Sequence, residues 1–230
     1  MHGELPRMTV GITPERGVFI SFEGGEGTGK STQSRLLRDR LAASGISALV
    51  TREPGGSAGA ERIRALVLDP DHPRFAARAE ALLFYAARAD HLEMMIAPTL
   101  AAGHWVICDR FSDSTRAYQG ALSSVDSAFL KSLEHFVVGE QGPDLTILLD
   151  LPAEIGLARA AARRGTAGID GFEREGADFH QALRRAYLDL ASAEPLRIVV
   201  IDASGNAQEV ADAVWNSVRL RLAARFTGKR

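Results

Sequence analysis

An α/β fold, with a five-stranded parallel sheet covered by helices on both faces, is what this 230-residue sequence predicts. Three observations carry the prediction. Five short, β-rich apolar runs alternate with helix-like segments, the pattern of parallel strands joined by crossover helices. A glycine-rich segment, GGEGTGKS over residues 24–31, separates the first run from the first helix. Charged residues also gather at the carboxyl ends of the runs, where such sheets bind ligands.

The elements follow in order. Residues 17–23 (GVFISFE) form the first strand, and residues 31–43 the first helix. Residues 47–53 (SALVTRE) form the second strand and 58–68 a helix. A long helix fills much of 74–102, with Leu82, Leu83 and Ala86 on a core stripe and Phe84, Arg88, His91 and Met95 on another face. Residues 104–110 (HWVICDR), 144–150 (DLTILLD) and 197–203 (RIVVIDA) are the remaining strands, and a helix over about 206–226 closes the chain. Strand order does not follow from the pattern. The expected organisation is a polar extension over 1–16, one domain over 17–226 and a tail at 227–230.

Composition excludes several classes. Hydrophobic residues at 46% and charged residues at 24% are globular averages, and a net charge of −2 gives no electrostatic reason to bind nucleic acid. The single cysteine, Cys108, rules out an internal disulfide. No run approaches the roughly 18 apolar residues of a membrane span, and residues 1–16 lack a secretory core, so a cytoplasmic protein is expected.

The segment GGEGTGKS satisfies the phosphate-binding pattern Gly-x-x-x-x-Gly-Lys-Ser/Thr in full. Gly24 and Gly29 let the backbone turn tightly beside a polyphosphate, and the loop amides and the helix dipole favour its charge. Lys30 reaches the β- and γ-phosphates, and the Ser31 hydroxyl can ligate Mg²⁺. Of the 27 lysines and arginines, only Lys30, Lys131 and Lys229 are lysine, yet lysine stands where a compact ammonium is required. Gly24, Gly25, Glu26, Gly27, Thr28, Gly29, Lys30, Ser31 and Thr32 are therefore expected to hold a nucleoside triphosphate.

Four further segments bear on a second substrate. TREPGG (51–56) puts Arg52 and a glutamate on a loop above the sheet, though a solvated surface turn explains it as well. DRFSDSTRAYQG (109–120) stands Asp109 and Arg110 at the sheet rim, where a guanidinium can grip phosphate and a carboxylate can orient Mg²⁺-bound water. A strand-capping ion pair is the alternative. In LLFYAARADHLEMM, Phe84 lies one helical turn from Arg88, suited to stacking on a base and bonding its edge; a second core contact competes. Arg159, Arg163 and Arg164 precede a glycine-punctuated loop with Arg174, which reads as a closing lid or as a solvated basic helix end.

Glu26 in the phosphate loop, TREPGG, FYAAR, DRxxxSTxAYQG and the arginine-rich segment together resemble bacterial thymidylate kinases, in order from about Val18 to the last helix. The resemblance implies a nucleoside monophosphate kinase-like fold with a small lid at about 163–176, ATP and Mg²⁺ as cofactors, dTMP as acceptor and a homodimer. It also implies roles. Glu26 would accept from the deoxyribose 3′-hydroxyl, Phe84 would stack on thymine and Arg88 would bond its O4. Arg110 would hold the acceptor phosphate with Arg52 nearby, and Ser31 and Asp109 would serve Mg²⁺. Thr115 and Gln119 would approach the base, and Tyr118 would crowd C2′ against a ribonucleotide. One subtype carries a catalytic arginine in the phosphate loop; Gly27 occupies that place here, so Arg163 or Arg164 becomes the catalytic candidate beside Lys30 and Arg110. Another P-loop kinase, or a regulatory NTPase, is the competing reading.

Overall fold

The computed structural model of the chain describes residues 15–122, 125–164 and 175–227, without the side chains of 163, 164 and 227. Five strands, β1 (Phe19–Glu23), β2 (Ala48–Arg52), β3 (Trp105–Asp109), β4 (Leu145–Asp150) and β5 (Ile198–Asp202), form one sheet. Their order is β2-β3-β1-β4-β5, and every pairing is parallel. The three inner strands are buried almost throughout, which explains their continuous apolar character. The ends expected for each strand lie within a residue or two of those observed.

Alternation along β1 assigns its two faces. Ile20 and Phe22, with Val18 before the strand, pack with Leu37 and Leu41 of α1 (Lys30–Ala43) and Val210, Val214 and Val218 of a late helix (Ala207–Arg221). Phe19, Ser21 and Glu23 point the other way. There Phe19 joins Tyr85, Leu92, Ile96 and Phe111 in a second cluster. Leu148 of β4 joins Tyr118, Leu183 and Tyr187 in a third. Between these two apolar clusters runs a buried polar seam, in which Ser21 Oγ and Thr146 Oγ1 are 2.7 Å apart. The seam leads up β1 to Glu23, beneath the rim.

Helix α2 (Ala58–Val67) is capped by Ser57, whose side chain accepts from the Ala60 amide. The long helix expected over 74–102 begins as α3 (Ala77–His91), widens into a π-helical turn (Leu92–Ile96) and ends as α4 (Ala97–Ala101). Pro98 accounts for the turn: it has no N–H to donate and its ring would collide with the carbonyl four residues back, so the wider turn re-spaces the ladder. The core stripe of α3 is also corrected. Leu82 is 47% exposed and Ala86 faces solvent, while Ala81, Tyr85, Arg88 and Leu92 are buried. Arg88 and His91 are buried because Glu53 pairs with both, and this turns the helix away from its apolar stripe.

Helices α5 (Ser112–Thr115), a second π-helical turn (Arg116–Ala121), α6 (Ser127–Val137), α7 (Ala153–Arg164) and α8 (Ala177–Ala193) follow. Neither α6 nor α8 was among the expected elements. The closing segment divides at Leu222 into α9 (Ala207–Arg221) and α10 (Ala223–Thr227). Among the described residues, no helix is long and apolar enough to cross a membrane.

Candidate active site

The carboxyl ends of β1 and β3, the loop after β2 and the middle and last turns of α3 surround a cavity of about 280 Å³. Its walls include Glu26, Gly27, Gly29, Lys30 and Ser31 from the glycine-rich loop. Arg52, Phe84, Arg88, Asp109, Arg110, Thr115, Tyr118 and Gln119 complete the expected set. Gly24, Gly25 and Thr28 instead line a smaller space behind the loop, and Thr32 lies in the first turn of α1. Of the arginines expected in a lid, Arg159 turns elsewhere: it donates to the carbonyls of Ala203 at 2.8 Å and Ser204 at 2.9 Å, tying α7 to the end of β5. Arg163 and Arg164 end α7, with their side chains outside the described residues; so is most of the lid expected over 163–176, Arg174 included.

The loop half is governed by backbone. Gly29 has φ 93°, a left-handed conformation that starts α1 with no side-chain cap and no acidic residue in its first turn. The first N–H groups of α1 therefore open toward the loop with no capping side chain of their own. Lys30 folds over the loop, donating to the carbonyls of Gly24 at 3.0 Å and Gly25 at 2.7 Å. Burial, then the positive charge of Arg110, pulls its ammonium down to about 8 against the opposing pull of Glu26 and Asp109. Gly27 has φ 66°, and a Cβ there would lie 1.9 Å from the Gly156 carbonyl oxygen of α7. No arginine could replace Gly27 without displacing that helix.

At the rim, Ser31 Oγ donates to Asp109 Oδ2 at 2.5 Å, setting a hydroxyl and a carboxylate side by side at the loop's edge. Arg110 is non-glycine at φ 71°, a strained conformation that aims its side chain back across the loop. Its guanidinium pairs with Glu26 and donates to the Gly24 carbonyl at 3.2 Å, Ser114 Oγ at 3.3 Å and Tyr187 Oη at 3.2 Å. The same guanidinium stands 5.4 Å over the Tyr118 ring.

The far half is governed by paired side chains. Arg88, only 3% exposed, donates to Glu53 Oε2 at 2.8 Å and Thr115 Oγ1 at 3.1 Å. Its Nη1 is buried without a partner, on a residue that lines the cavity. An orphaned buried donor there calls for an acceptor from a ligand. Phe84, half-buried beside it, lines the cavity wall and also packs against the third cluster, so the core contact is present and the ring stands where the expected stacking would need it. Gln119 Nε2 donates to Glu80 Oε2 at 3.0 Å. Arg52 pairs with Glu61 at 3.1 Å in an exposed bridge.

Some wall residues were not foreseen. Arg64 of α2 donates to the Pro54 carbonyl at 2.7 Å and reaches the cavity; nothing in its local sequence marks it. Glu53 was noted as a charge but not as the countercharge of Arg88 and His91. Glu23 lies beneath the wall, and a carboxylate ending an apolar run was its signal. Burial above all, with the charge of Asp113, pushes Glu23 up to about 7, against hydrogen bonds from Ser114 and Phe111.

This geometry matches known proteins. The family model for thymidylate kinase matches residues 22–214. The thymidylate kinase of Rhodopseudomonas palustris (strain ATCC BAA-98 / CGA009) is 56% identical over 208 residues, 90% of each chain. That of Bradyrhizobium diazoefficiens is 56% identical over 207 residues, covering 90% of this chain and 91% of the relative. A crystal structure of thymidylate kinase from Ehrlichia chaffeensis superposes with a TM-score of 0.72 at 30% identity, over 88% of this chain and 99% of that one. With the phosphate loop, the rim pair and the orphaned guanidinium in one cavity, the chain belongs to the thymidylate kinase family.

Proposed function

We propose that the cavity aligns ATP and dTMP tail to tail and that the chain phosphorylates dTMP to dTDP, the reaction of its family. One observation carries the residue assignment: Lys30 and Ser31 of the phosphate loop share a single cavity with Arg88, whose buried Nη1 lacks a partner, and Arg110 is on the wall with them. In this reading Gly24 to Thr32 hold the triphosphate, with Lys30 on its β- and γ-groups. Arg110 exchanges part of its contact with Glu26 for the acceptor phosphate, and Arg52 adds charge at the mouth. Glu26, so released, accepts from the 3′-hydroxyl. Phe84 stacks on the base, Arg88 Nη1 donates to its O4, Thr115 and Gln119 border its edge, and Tyr118 lies beside C2′.

The chemistry needs little else. An oxygen of the dTMP phosphate, already anionic at neutral pH, attacks the γ-phosphorus in line. The bond from that phosphorus to the β–γ bridging oxygen breaks, and ADP departs. No covalent enzyme intermediate or strong general base is required, so Lys30, Arg110 and the loop amides act by positioning and by neutralising charge. The adjacent hydroxyl and carboxylate of Ser31 and Asp109 are hard oxygen donors suited to Mg²⁺, an ion that otherwise keeps waters and phosphate oxygens. When bound there, Mg²⁺ would offset negative charge on the phosphate oxygens. Arg163 or Arg164, at the end of α7, is proposed to complete the transition-state charge, since Gly27 admits no side chain. We also place two copies in a homodimer, for which the exposed Leu66, Leu82 and Met94 offer apolar side chains.

A coupled assay of ADP release across dTMP, dUMP, dCMP, dGMP and dAMP tests the reading. Turnover confined to dTMP, with weaker dUMP activity, supports it. Equal turnover with a purine monophosphate, or ATP hydrolysis indifferent to dTMP, overturns it.

A further inference from the structure

Glu23 lines neither the large cavity nor the smaller one, yet it is 1% exposed and its carboxylate is fully engaged. Oε1 accepts from the amides of Phe111 at 2.8 Å and Ser114 at 3.3 Å. Oε2 accepts from the hydroxyls of Ser114 at 2.6 Å and Tyr187 at 3.2 Å. Those two hydroxyl oxygens, 2.9 Å apart, are the ones that Arg110 Nη1 donates to. An ionised carboxylate can only accept, so Ser114 gives its proton to Glu23 across 2.6 Å, and the Tyr187 proton is shared between Glu23 Oε2 and Ser114 Oγ. Both oxygens are then left with lone pairs facing a guanidinium that can only donate. The direction of every bond in this small network is set from one end.

We propose that Glu23 is a positioning residue that, by orienting the Ser114 and Tyr187 hydroxyls, holds Arg110 in place for the acceptor phosphate. Four segments meet there: β1 supplies Glu23, the residue just after β3 is Arg110, α5 supplies Ser114 and α8 supplies Tyr187. The strained φ of 71° at Arg110 is bracketed by the same carboxylate, which binds the next residue's amide. When Arg110 shifts from Glu26 toward phosphate, the hydroxyl pair and the Gly24 carbonyl remain to keep it from swinging out. The inference rests on the reading of Arg110 as the phosphate-holding residue.

Glu23→Gln is the discriminating variant, because it keeps shape but not bond direction. If its carbonyl faces the two amides, its NH₂ faces the hydroxyls and drives their protons toward Arg110. If it is flipped, NH₂ meets the amide donors. Tyr187→Phe removes one of the two hydroxyls and keeps the ring. Both are assayed at about pH 8, where a carboxyl pushed up to about 7 is ionised. The Kd and KM for dTMP are expected to rise about five- to tenfold in each, the scale of one lost hydrogen bond, with the KM for ATP within about twofold. In an Arg110→Ala background the same substitutions should add less than about twofold, because the network then has nothing to position. Effects that add in full on Arg110→Ala, or that raise both KM values equally, overturn the proposal. Should Glu23→Gln fail to fold, Tyr187→Phe carries the cycle alone. If Arg110→Ala itself leaves dTMP binding unchanged, the phosphate assignment fails first, an outcome distinct from additivity.

Discussion

The phosphate-loop half of the cavity is shaped by backbone, and the half beyond Arg110 is shaped by side chains that arrive already paired. In the first, Gly27 and Gly29 adopt φ of 66° and 93°, and the one cation, Lys30, rests on two loop carbonyls. In the second, Arg88 is fixed by Glu53, Arg110 by Glu26, Ser114 and Tyr187, and Arg52 by Glu61. The first half waits for an anion that every nucleotide carries. The second is proposed to tell one nucleotide from another, as buried, oriented donors can by being left unsatisfied when the wrong edge arrives. Generality can be built from amides; selectivity needs side chains held still.

The largest effect expected falls on the first half. Lys30→Ala should lower kcat by about two to four orders of magnitude, the range for removing one transition-state donor. Steady-state turnover at saturating ATP and dTMP reads it, and a loss below about tenfold would show that the amides suffice without the ammonium.

The second half should fail differently, through stability. Glu53 and Arg88 are 5% and 3% exposed at their side chains, so Glu53→Ala strands a guanidinium without its countercharge. A loss of about 3–5 kcal/mol is expected in urea titrations. Breaking the exposed Arg52–Glu61 bridge by Arg52→Ala, which leaves the Gly56 amide bonded to Glu61, should cost less than about 1 kcal/mol, since water and salt already screen the pair. Equal costs would mean that burial does not separate the two pairs.

This contrast also explains what could be read from residues alone. The phosphate loop was legible because its constraint is local: glycine where φ must be positive, and lysine within reach of its own loop. The three inner strands were legible for a similar reason, since burial on both faces writes itself as a continuous apolar run. Arg88 could be suspected but not its burial, because Glu53, its partner, lies 35 positions away on another element. That distant pair is also why the buried face of α3 was misassigned at Leu82 and Ala86. Arg64 and Tyr187 carry no local signal at all; tertiary packing alone brings them to the site. Helix α6 did announce itself, through the Asp126 cap and the apolar Phe129, Leu130 and Leu133, and was legible though not anticipated.

Titration sharpens the comparison, because the cation of the loop is an ammonium pulled down by burial, whereas Arg88 and Arg110 are guanidiniums. Burial, then Arg110, holds Lys30 at about 8. In the free enzyme kcat/KM for ATP should therefore fall up to tenfold per unit as pH rises above about 8, while the guanidinium half keeps its charge. The stability consequence has the opposite sense. A depressed pKa means that the unfolded chain binds the proton more tightly, so Lys30's contribution is present at high pH and is lost as pH falls through about 8. A flat kcat/KM profile between about pH 7 and 9.5 would remove Lys30 from ATP capture.

Tyr118 is where the two halves touch, and it should give the smallest effect. Its hydroxyl reaches Glu26 Oε1 only at 3.5 Å, at the limit of a useful hydrogen bond, whereas its ring lies 5.4 Å beneath the Arg110 guanidinium. Tyr118→Phe keeps the ring and should change the KM for dTMP and the preference for deoxyribose by less than about threefold. Tyr118→Ala removes both the bulk proposed to lie beside C2′ and a cation–π contact to Arg110 worth on the order of 1 kcal/mol. It should admit the ribonucleotide, and the ratio of kcat/KM for the two sugars measures that. If alanine leaves the ratio unchanged, the ring serves Arg110 and not the sugar, and discrimination must come from the paired side chains alone. If phenylalanine alone shifts it, the 3.5 Å contact to Glu26 matters more than its length implies, and the hydroxyl belongs with the oriented donors of the second half.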